Sequence, residues 1–177
     1  KHVNPKGWVD AYRIPKYMYY LWQANYGPYL MAFIQPHYWR RRYLGQRRDI
    51  VVDSNGDTIE LLVNGILVGL QSPTAEGFHT ITFPGVEIVE GTITAIARRG
   101  DQTASWSVTM AGEPARLTLS TAQPEIHADR SGIAVVMADI VDARGVHVYG
   151  ATNPLHWELS GPGALVGPAD YASDIAK

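Results

Sequence analysis

Short strand-like segments separated by turn residues dominate the sequence from Tyr29 onward. Apolar and polar residues alternate within these segments, a pattern typical of half-buried β-strands. Asn55-Gly56 and Asn64-Gly65 are residue pairs that accept the positive φ angles of tight hairpin turns, so we predict a hairpin at each. Gly100-Asp101 is predicted to be a third connecting turn.

The predicted strands fall into two groups. The first group indicates an immunoglobulin-like sandwich and contains Leu30–Gln35, Asp49–Ser54, Asp57–Val63, Ile66–Leu70, Phe78–Phe83, Thr92–Arg99 and Gln102–Met110. After a linker at 111–115, the second group contains Arg116–Ser120, Ile133–Asp142, Val146–Tyr149 and Leu155–Ser160. A sandwich of this type needs about 100 residues, so we expect the second domain to be incomplete.

One aromatic-rich helix is predicted before the strands. Pro15 suits a first helical turn, and Gly27-Pro28 ends the helix after Tyr26. Its rings leave few polar positions, which are Lys16, Gln23 and Asn25. A helix that is apolar over most of its circumference must be covered on several sides. Because two partial sandwiches offer only one side, we expect this helix to be exposed, repacked or shared between copies.

Composition excludes several classes of function. With 177 residues, of which 46% are hydrophobic, the chain can bury a core. The formal net charge of −2 predicts neither a nucleic acid nor a membrane partner. The exception is Arg40-Arg41-Arg42 with Arg47-Arg48, interpreted as a solvated turn between two strands. No cysteine is present, which excludes disulfides, thiolate metal sites and cysteine nucleophiles.

The motifs that could indicate a metal site or acid–base catalysis are interpreted as structural. The segment 53–57, DSNGD, resembles a calcium loop, but its glycine is displaced and the twelfth position is Asn64, so a hairpin turn fits better. Asp139/Asp142 and Glu87/Glu90 are interpreted as surface charges. The six histidines lack metal-ligand spacing: they are His2, His37, His79, His127, His147 and His156. No phosphate-binding or dinucleotide motif occurs, so no metal or cofactor is predicted.

Trp106 and Trp157 lie on predicted strands. A sugar-binding surface formed by such rings is an open alternative. Such a surface needs two or three rings in a plane. Packing between the sheets is the favoured interpretation, because strand alternation directs each ring to one face of its sheet.

The chain resembles glycoside hydrolase family 2, the β-galactosidase, β-glucuronidase and β-mannosidase group. Residues 8–16, WVDAYRIPK, followed by Tyr19-Tyr20 resemble the last helix of the family's catalytic barrel. Segments similar to the β-sandwich that follows the barrel are 35–39 (QPHYW), 45–46 (GQ), 51–55 (VVDSN) and 60–65 (ELLVNG). The strand 133–142 and the segment 157–163 (WELSGPG) are similar to an appended immunoglobulin-like domain. The arginine-rich 40–48 segment departs from the family pattern.

The resemblance implies a mainly β fold preceded by one helix that belongs to a (β/α)8 barrel. Residues 1–28 are expected to be the terminal helix segment of that barrel. Residues 29–112 are expected to form an immunoglobulin-like sandwich, and residues 113–177 a second, incomplete one. Family 2 enzymes are retaining glycosidases that use two glutamates, and the resemblance puts both upstream on barrel strands. No catalytic residue is therefore predicted among the glutamates of this chain: Glu60, Glu76, Glu87, Glu90, Glu113, Glu125 and Glu158.

The resemblance also implies a structural role in a β-galactosidase-like parent. Both chain ends are expected to lie inside domains. The expected partners are the rest of the barrel, the parent's carbohydrate substrate and, as an open alternative, further copies in a homo-oligomer. A periplasmic or secreted location is expected. Two other functions stay open, a carbohydrate-binding module and an immunoglobulin-like surface protein.

Overall fold

A computed structural model describes residues 7–10, 13–35, 38–129 and 131–171. Helix α1, Tyr17–Tyr26, precedes strand β1, Ala32–Ile34, and a short 3₁₀ turn at Arg41–Tyr43. The remaining strands are β2 Arg47–Ser54, β3 Thr58–Val63, β4 Ile66–Gln71, β5 Thr80–Glu87, β6 Thr92–Arg99, β7 Gln102–Thr109, β8 Arg116–Thr121, β9 Val136–Val141, β10 Leu155–His156 and β11 Asp170–Tyr171.

The first seven strands form a sandwich of two antiparallel sheets. One sheet has the order β1-β2-β5 and the other the order β4-β3-β6-β7. Alternate residues of each strand face the space between the sheets, as in β6, where Ile93, Ala95 and Ala97 are fully buried. This confirms the predicted mainly β, immunoglobulin-like fold with one helix.

The Asn64-Gly65 hairpin is confirmed. It joins β3 to β4, which are antiparallel neighbours, and both turn residues have positive φ, 50° and 81°. Gly100, with φ 55°, similarly turns the chain between the paired strands β6 and β7. Local residue preference is sufficient to form these two turns because each joins strands that pair with each other.

The predicted hairpin at Asn55-Gly56 is wrong. β2 and β3 lie in different sheets, so the segment between them crosses the sandwich. The Asn55 side chain accepts a hydrogen bond from the Met31 backbone N–H at 2.9 Å and donates one to the Tyr29 carbonyl. A Cβ at Gly56 would lie 3.1 Å from the Ala97 Cβ. Hydrogen bonds to a distant segment therefore explain the presence of Asn55, and close packing explains that of Gly56. Neither residue forms a tight hairpin turn.

The start of the helix also differs from the prediction. Pro15 lies before α1, where it bridges Val9 in an antiparallel pair. Lys16 occupies the position preceding the helix, with an extended backbone. The end of the helix after Tyr26 is as predicted, and Gly27 donates its N–H to the Gln23 carbonyl.

Three predicted strands of the chain's second half are shorter or absent. The strand predicted at Ile133–Asp142 is limited to β9. The segment 146–149 forms an isolated bridge between His147 and Val141 instead of a strand. β10 is limited to two residues, which pair with β11. β8 and β9 pair along their whole length. All six residues of β8 are exposed, so the sandwich core ends at β7 and does not extend over this ribbon.

Candidate functional site

The inner face of α1 packs on the sandwich through three rings. The Tyr20 ring stacks on that of Phe33 with centroids 3.8 Å apart and planes 6° apart. The Trp106 ring meets both edge-on, at 5.5 Å from Tyr20 and 5.0 Å from Phe33. Burial raises the pKa of the Tyr20 hydroxyl. Trp106 therefore joins the helix to the core, which supports the packing interpretation of this residue.

Two asparagines anchor the same helix by hydrogen bonds. The Asn25 side-chain amide donates to the Leu21 and Phe78 carbonyls, both at 2.8 Å. Asn55, from the crossing between the sheets, holds the segment that follows the helix. These bonds fix the orientation of α1 on the sandwich and therefore the direction of its opposite face.

The outer face of α1 presents two exposed rings, and Trp8 from the segment before the helix extends them into a row. Trp8 lies 5.1 Å from Trp22, and Trp22 lies 5.5 Å from Tyr26, measured between ring centroids. Their exposed fractions are 50%, 39% and 70%. We call Trp8, Trp22 and Tyr26 the ring row. The exposure expected for the outer side of this helix is thus observed. Neighbouring planes are tilted by 31° and 43°, so the rings do not form one flat platform.

A second feature joins the sandwich to the β8–β9 ribbon. The buried Asp142 carboxylate accepts hydrogen bonds from the backbone N–H groups of Gly112, Arg144 and Val146 at 2.8 to 2.9 Å. The Arg144 guanidinium contacts that carboxylate and donates to the Met110 carbonyl at 2.9 Å. We call this arrangement the Asp142 clamp. It lines a groove of about 420 Å³.

Hydrogen bonding governs the charge of Asp142. The bond from the Gly112 N–H is the largest influence, and those from Val146 and Arg144 act with it to hold the pKa of the carboxyl well below its usual range. The carboxylate is therefore ionised throughout the neutral and mildly acidic range. The interpretation of Asp142 as a surface charge is wrong, because the residue is 2% exposed.

A third feature is a groove of about 270 Å³ between the 3₁₀ turn and residues 147–153. Arg40, Arg41 and Arg42 line one side. His147 and Asn153 line the other. We call this cleft the arginine groove. The arginines do form a turn in which Arg41 and Arg42 are exposed, and residues of a distant segment line the same cleft.

The acidic residues weighed for acid–base chemistry are engaged elsewhere. Glu87 pairs with Arg47 at 3.6 Å, and Glu90 pairs with Arg41 at 3.2 Å. Asp139 lies 3.4 Å from His147. Each of these carboxylates therefore has a basic partner, as expected of paired charges at the surface.

The segment that resembles a calcium loop does not gather its oxygen ligands. Asp53 is fully buried and accepts hydrogen bonds from Thr80 Oγ1 at 2.8 Å and Gln35 Nε2 at 3.1 Å. Burial raises the pKa of its carboxyl group. Asp57 is exposed beyond the crossing. Across residues 7–10, 13–35, 38–129 and 131–171, no group of three His, Cys, Asp or Glu side chains could hold a metal ion.

Two further observations concern predicted site residues. Trp157 is half-buried and has no ring contact with Trp106 within the described ranges, so the two tryptophans form no joint platform. His2 and His37 lie outside the described residues. None of the helices in the described part of the chain combines the length and apolar character that crossing a membrane requires.

Sequence reasoning missed the clamp and the arginine groove. Both depend on the position of residues 142–153 against residues 40–42 and 110–112, which no local pattern records. The Asp142 to Gly145 turn offered a weak signal, since aspartate accepts backbone hydrogen bonds two residues ahead in such turns.

Two domain families match separate parts of the chain. Residues 117–176 match the glycoside hydrolase family 2 C-terminal domain 5. Residues 45–105, which cover β2 to β6 and part of β7, match a domain of unknown function, DUF4982. The boundaries predicted after residues 28 and 112 are not tested by these matches and stay predictions.

Similar proteins extend the relationship over most of the chain. A β-galactosidase of Bacteroides ovatus, BoGH2A, is 29% identical over 93% of this chain and 20% of its own length. A β-glucuronidase of Formosa agariphila is 34% identical over 90% of the chain and 16% of its own length. The chain thus spans about a fifth of the length of these relatives or less.

A solved structure shows the same fold. The crystal structure of a β-glycosidase from Bacteroides vulgatus superposes with a TM-score of 0.79 over 88% of this chain and 20% of that one, at 25% identity. Most of this chain's fold therefore occurs within a longer β-glycosidase chain. With the match of residues 117–176, these relationships identify the chain as a C-terminal region of glycoside hydrolase family 2.

Proposed function

We propose that this chain is the non-catalytic C-terminal part of a retaining family 2 glycoside hydrolase that acts on β-linked carbohydrate. Its role is structural: α1 docks on the catalytic barrel and the sandwich supports it. The observation that carries the proposal is the ring row. Trp8, Trp22 and Tyr26 are exposed side by side while the opposite face of α1 is buried on Phe33.

The geometry of the ring row favours a protein surface as its partner. Exposed apolar patches of this kind mark interaction sites. A flat sugar would stack best on coplanar rings, but adjacent rings here are tilted by 31° and 43°. A contoured protein surface can follow such rings. This supports docking over the alternative of a carbohydrate-binding module at this face.

The catalytic part of the proposal is tested with the chain alone. Because both glutamates of a retaining mechanism are proposed to lie on the barrel, the purified 177-residue chain is expected to hydrolyse no nitrophenyl β-glycoside. Hydrolysis that persists through purification and follows the concentration of the chain would contradict the proposal.

The docking part is tested in the complete parent, expressed from the coding sequence that includes the upstream region. Trp22→Ala and Tyr26→Ala together are expected to lower the parent's thermal stability and its glycosidase activity, since the barrel loses its cover. Leu119→Ala, which truncates an exposed residue on β8, is the control and should change neither. Equal effects of both changes, or no effect of the ring-row change, would refute docking through α1.

Localisation belongs to the same proposal. We propose a periplasmic or secreted parent, as the resemblance to glycosidases with appended immunoglobulin-like domains implies. Fractionation of cells that express the tagged parent tests it, with recovery in the cytoplasmic fraction as the opposing result.

A further inference from the structure

The five arginines of residues 40–48 differ in charge compensation. Arg41 pairs with Glu90 at 3.2 Å, and Arg47 pairs with Glu87 at 3.6 Å. For Arg40, Arg42 and Arg48, no carboxylate of the described residues lies within ion-pair distance. Three cations are therefore concentrated in one region of a chain whose net charge is −2.

Tyrosine rings hold two of these cations in place. The Arg42 guanidinium carbon lies 4.7 Å from the centroid of the Tyr43 ring. That of Arg48 lies 5.3 Å from the same ring and 5.5 Å from the Tyr38 ring. A cation over an aromatic face is attracted by the ring quadrupole but keeps its full charge. The guanidinium groups are thus positioned without being neutralised.

Two of these uncompensated arginines, Arg40 and Arg42, line the arginine groove, a cleft in which a small ligand can bind. Arg40, Arg41 and Arg42 line this cleft of about 270 Å³ together with Thr152 and Asn153. This volume is slightly below the lower limit usual for small-molecule sites, about 300 Å³, so the groove fits a single sugar residue rather than a large ligand. Threonine hydroxyl and asparagine amide groups can exchange hydrogen bonds with sugar hydroxyls. Arginine donates to a carboxylate or sulfate through a planar fork of N–H groups.

Arg40 is part of the groove wall. Its Nε atom is buried and has no hydrogen-bond partner among the described residues. Burial raises the pKa of the nearby Tyr17 hydroxyl, and the charge and hydrogen bond of the Arg40 guanidinium oppose that rise. Gly150 keeps the opposite wall close, because a Cβ there would come within 2.9 Å of an Arg40 terminal nitrogen.

We propose that the arginine groove binds an acidic sugar residue of an anionic saccharide. Arg40 and Arg42 bind the carboxylate or sulfate group, and Thr152 and Asn153 bind sugar hydroxyls. The choice of a sugar over other anions rests on the proposed function. The site is separate from the ring row and gives the C-terminal region contact with acidic carbohydrate.

The test is calorimetric titration of the 177-residue chain with four probes: a β-linked glucuronide disaccharide, a sulfated galactose disaccharide, neutral lactose and inorganic sulfate. At least one acidic disaccharide should bind, and should bind about tenfold or more tighter than lactose and inorganic sulfate. The glucuronide and sulfated probes distinguish the two acidic groups. Raising the salt concentration should weaken binding, because the attraction is electrostatic. No binding, equal binding of lactose or equal binding of inorganic sulfate would overturn the proposal.

Matched variants locate the binding. Arg42→Gln is expected to weaken acidic disaccharide binding about tenfold, the loss typical of one charge-assisted hydrogen bond. Arg47→Gln removes a paired arginine outside the groove and should change binding less than about twofold. Circular dichroism checks that both variants fold. Equal losses in the two variants would refute the site.

Failure of this inference and failure of the proposed function give different results. If α1 does not dock on the barrel, changing the ring row will leave the stability and activity of the parent unaffected. If the groove is not a saccharide site, changing the ring row will still affect the parent, but the chain will bind no acidic disaccharide.

Discussion

At the scale of single residues, Asp53 shows how burial changes the role of a carboxylate. The residue is fully buried between Gln35 and Thr80, and both donate hydrogen bonds to it. A calcium-loop pattern in the sequence thus corresponds to a structural acceptor inside the sandwich. The charge is costly there, which is why the pKa of Asp53 is raised.

Asp53→Ala is expected to lower the free energy of unfolding by about 1–3 kcal/mol, because the donors of Gln35 and Thr80 lose their buried acceptor. Asp53→Asn should cost less at pH 7, since an amide accepts the Thr80 bond without a buried charge. Urea unfolding of the three proteins measures this. An equal loss in both variants would contradict this expectation, because the amide would then restore none of the lost hydrogen bonding.

The raised pKa fixes the sign of a pH effect. Folded Asp53 holds its proton more tightly than the unfolded chain, so its contribution to stability is complete below the unfolded pKa, about 3.9, and falls as the pH rises through the folded pKa. Relative to the natural chain, Asp53→Asn should therefore gain stability between pH 4 and pH 7. A difference that stays constant over this range would contradict the assignment.

At the scale of elements, α1 has two faces with different energetic roles. Phe33, under the helix, is 3% exposed, whereas Tyr26 on the outer face is 70% exposed. Phe33→Ala is expected to cost about 3–5 kcal/mol, because it leaves a cavity between Tyr20 and Trp106. Tyr26→Ala should change the isolated chain's stability by less than about 0.5 kcal/mol. Thermal unfolding of both variants measures the contrast, and a similar loss in each would refute it.

The elements also show what the sequence could predict. Asn64-Gly65 could be predicted because its turn joins neighbouring strands and needs only local positive φ angles. Asn55-Gly56 has the same residues, but its conformation depends on Met31 and Ala97, which are distant in sequence. The exposed rings on the outer face of α1 agree with one of the three expected outcomes, because a helix with so few polar positions has more apolar surface than two partial sandwiches can cover. The arginine groove could not be predicted, because residues 147–153 form its second wall.

At the scale of the whole molecule, the Asp142 clamp determines how the ribbon meets the sandwich. Asp142 follows β9, and it receives the N–H of Gly112, which follows β7. Arg144 extends the connection to the Met110 carbonyl. Exposed apolar residues on the ribbon, such as Leu117 and Leu119, add little packing of their own. The hydrogen bonds to this carboxylate therefore act together with the packing of Tyr149 against the sandwich core.

Asp142→Ala is expected to loosen the ribbon while the sandwich stays folded. Amide hydrogen exchange should become faster at Gly112, Arg144 and Val146, which lose their acceptor, and remain unchanged in β6. Asp139→Ala is the control, because Asp139 is exposed and its partner His147 lies outside the clamp. Faster exchange in both variants, or in neither, would contradict a role specific to Asp142.

The ionisation of Asp142 supplies an independent check on the same clamp. Its folded pKa is depressed, so its stabilising contribution is complete above the unfolded pKa, about 3.9, and is lost as the pH falls through the lower folded value. The amide resonance of Gly112 in an NMR titration should therefore stay constant from pH 7 to pH 4. A midpoint at or above 3.9 would mean that the carboxylate does not hold the backbone N–H groups together. The ribbon would then need another connection to the sandwich.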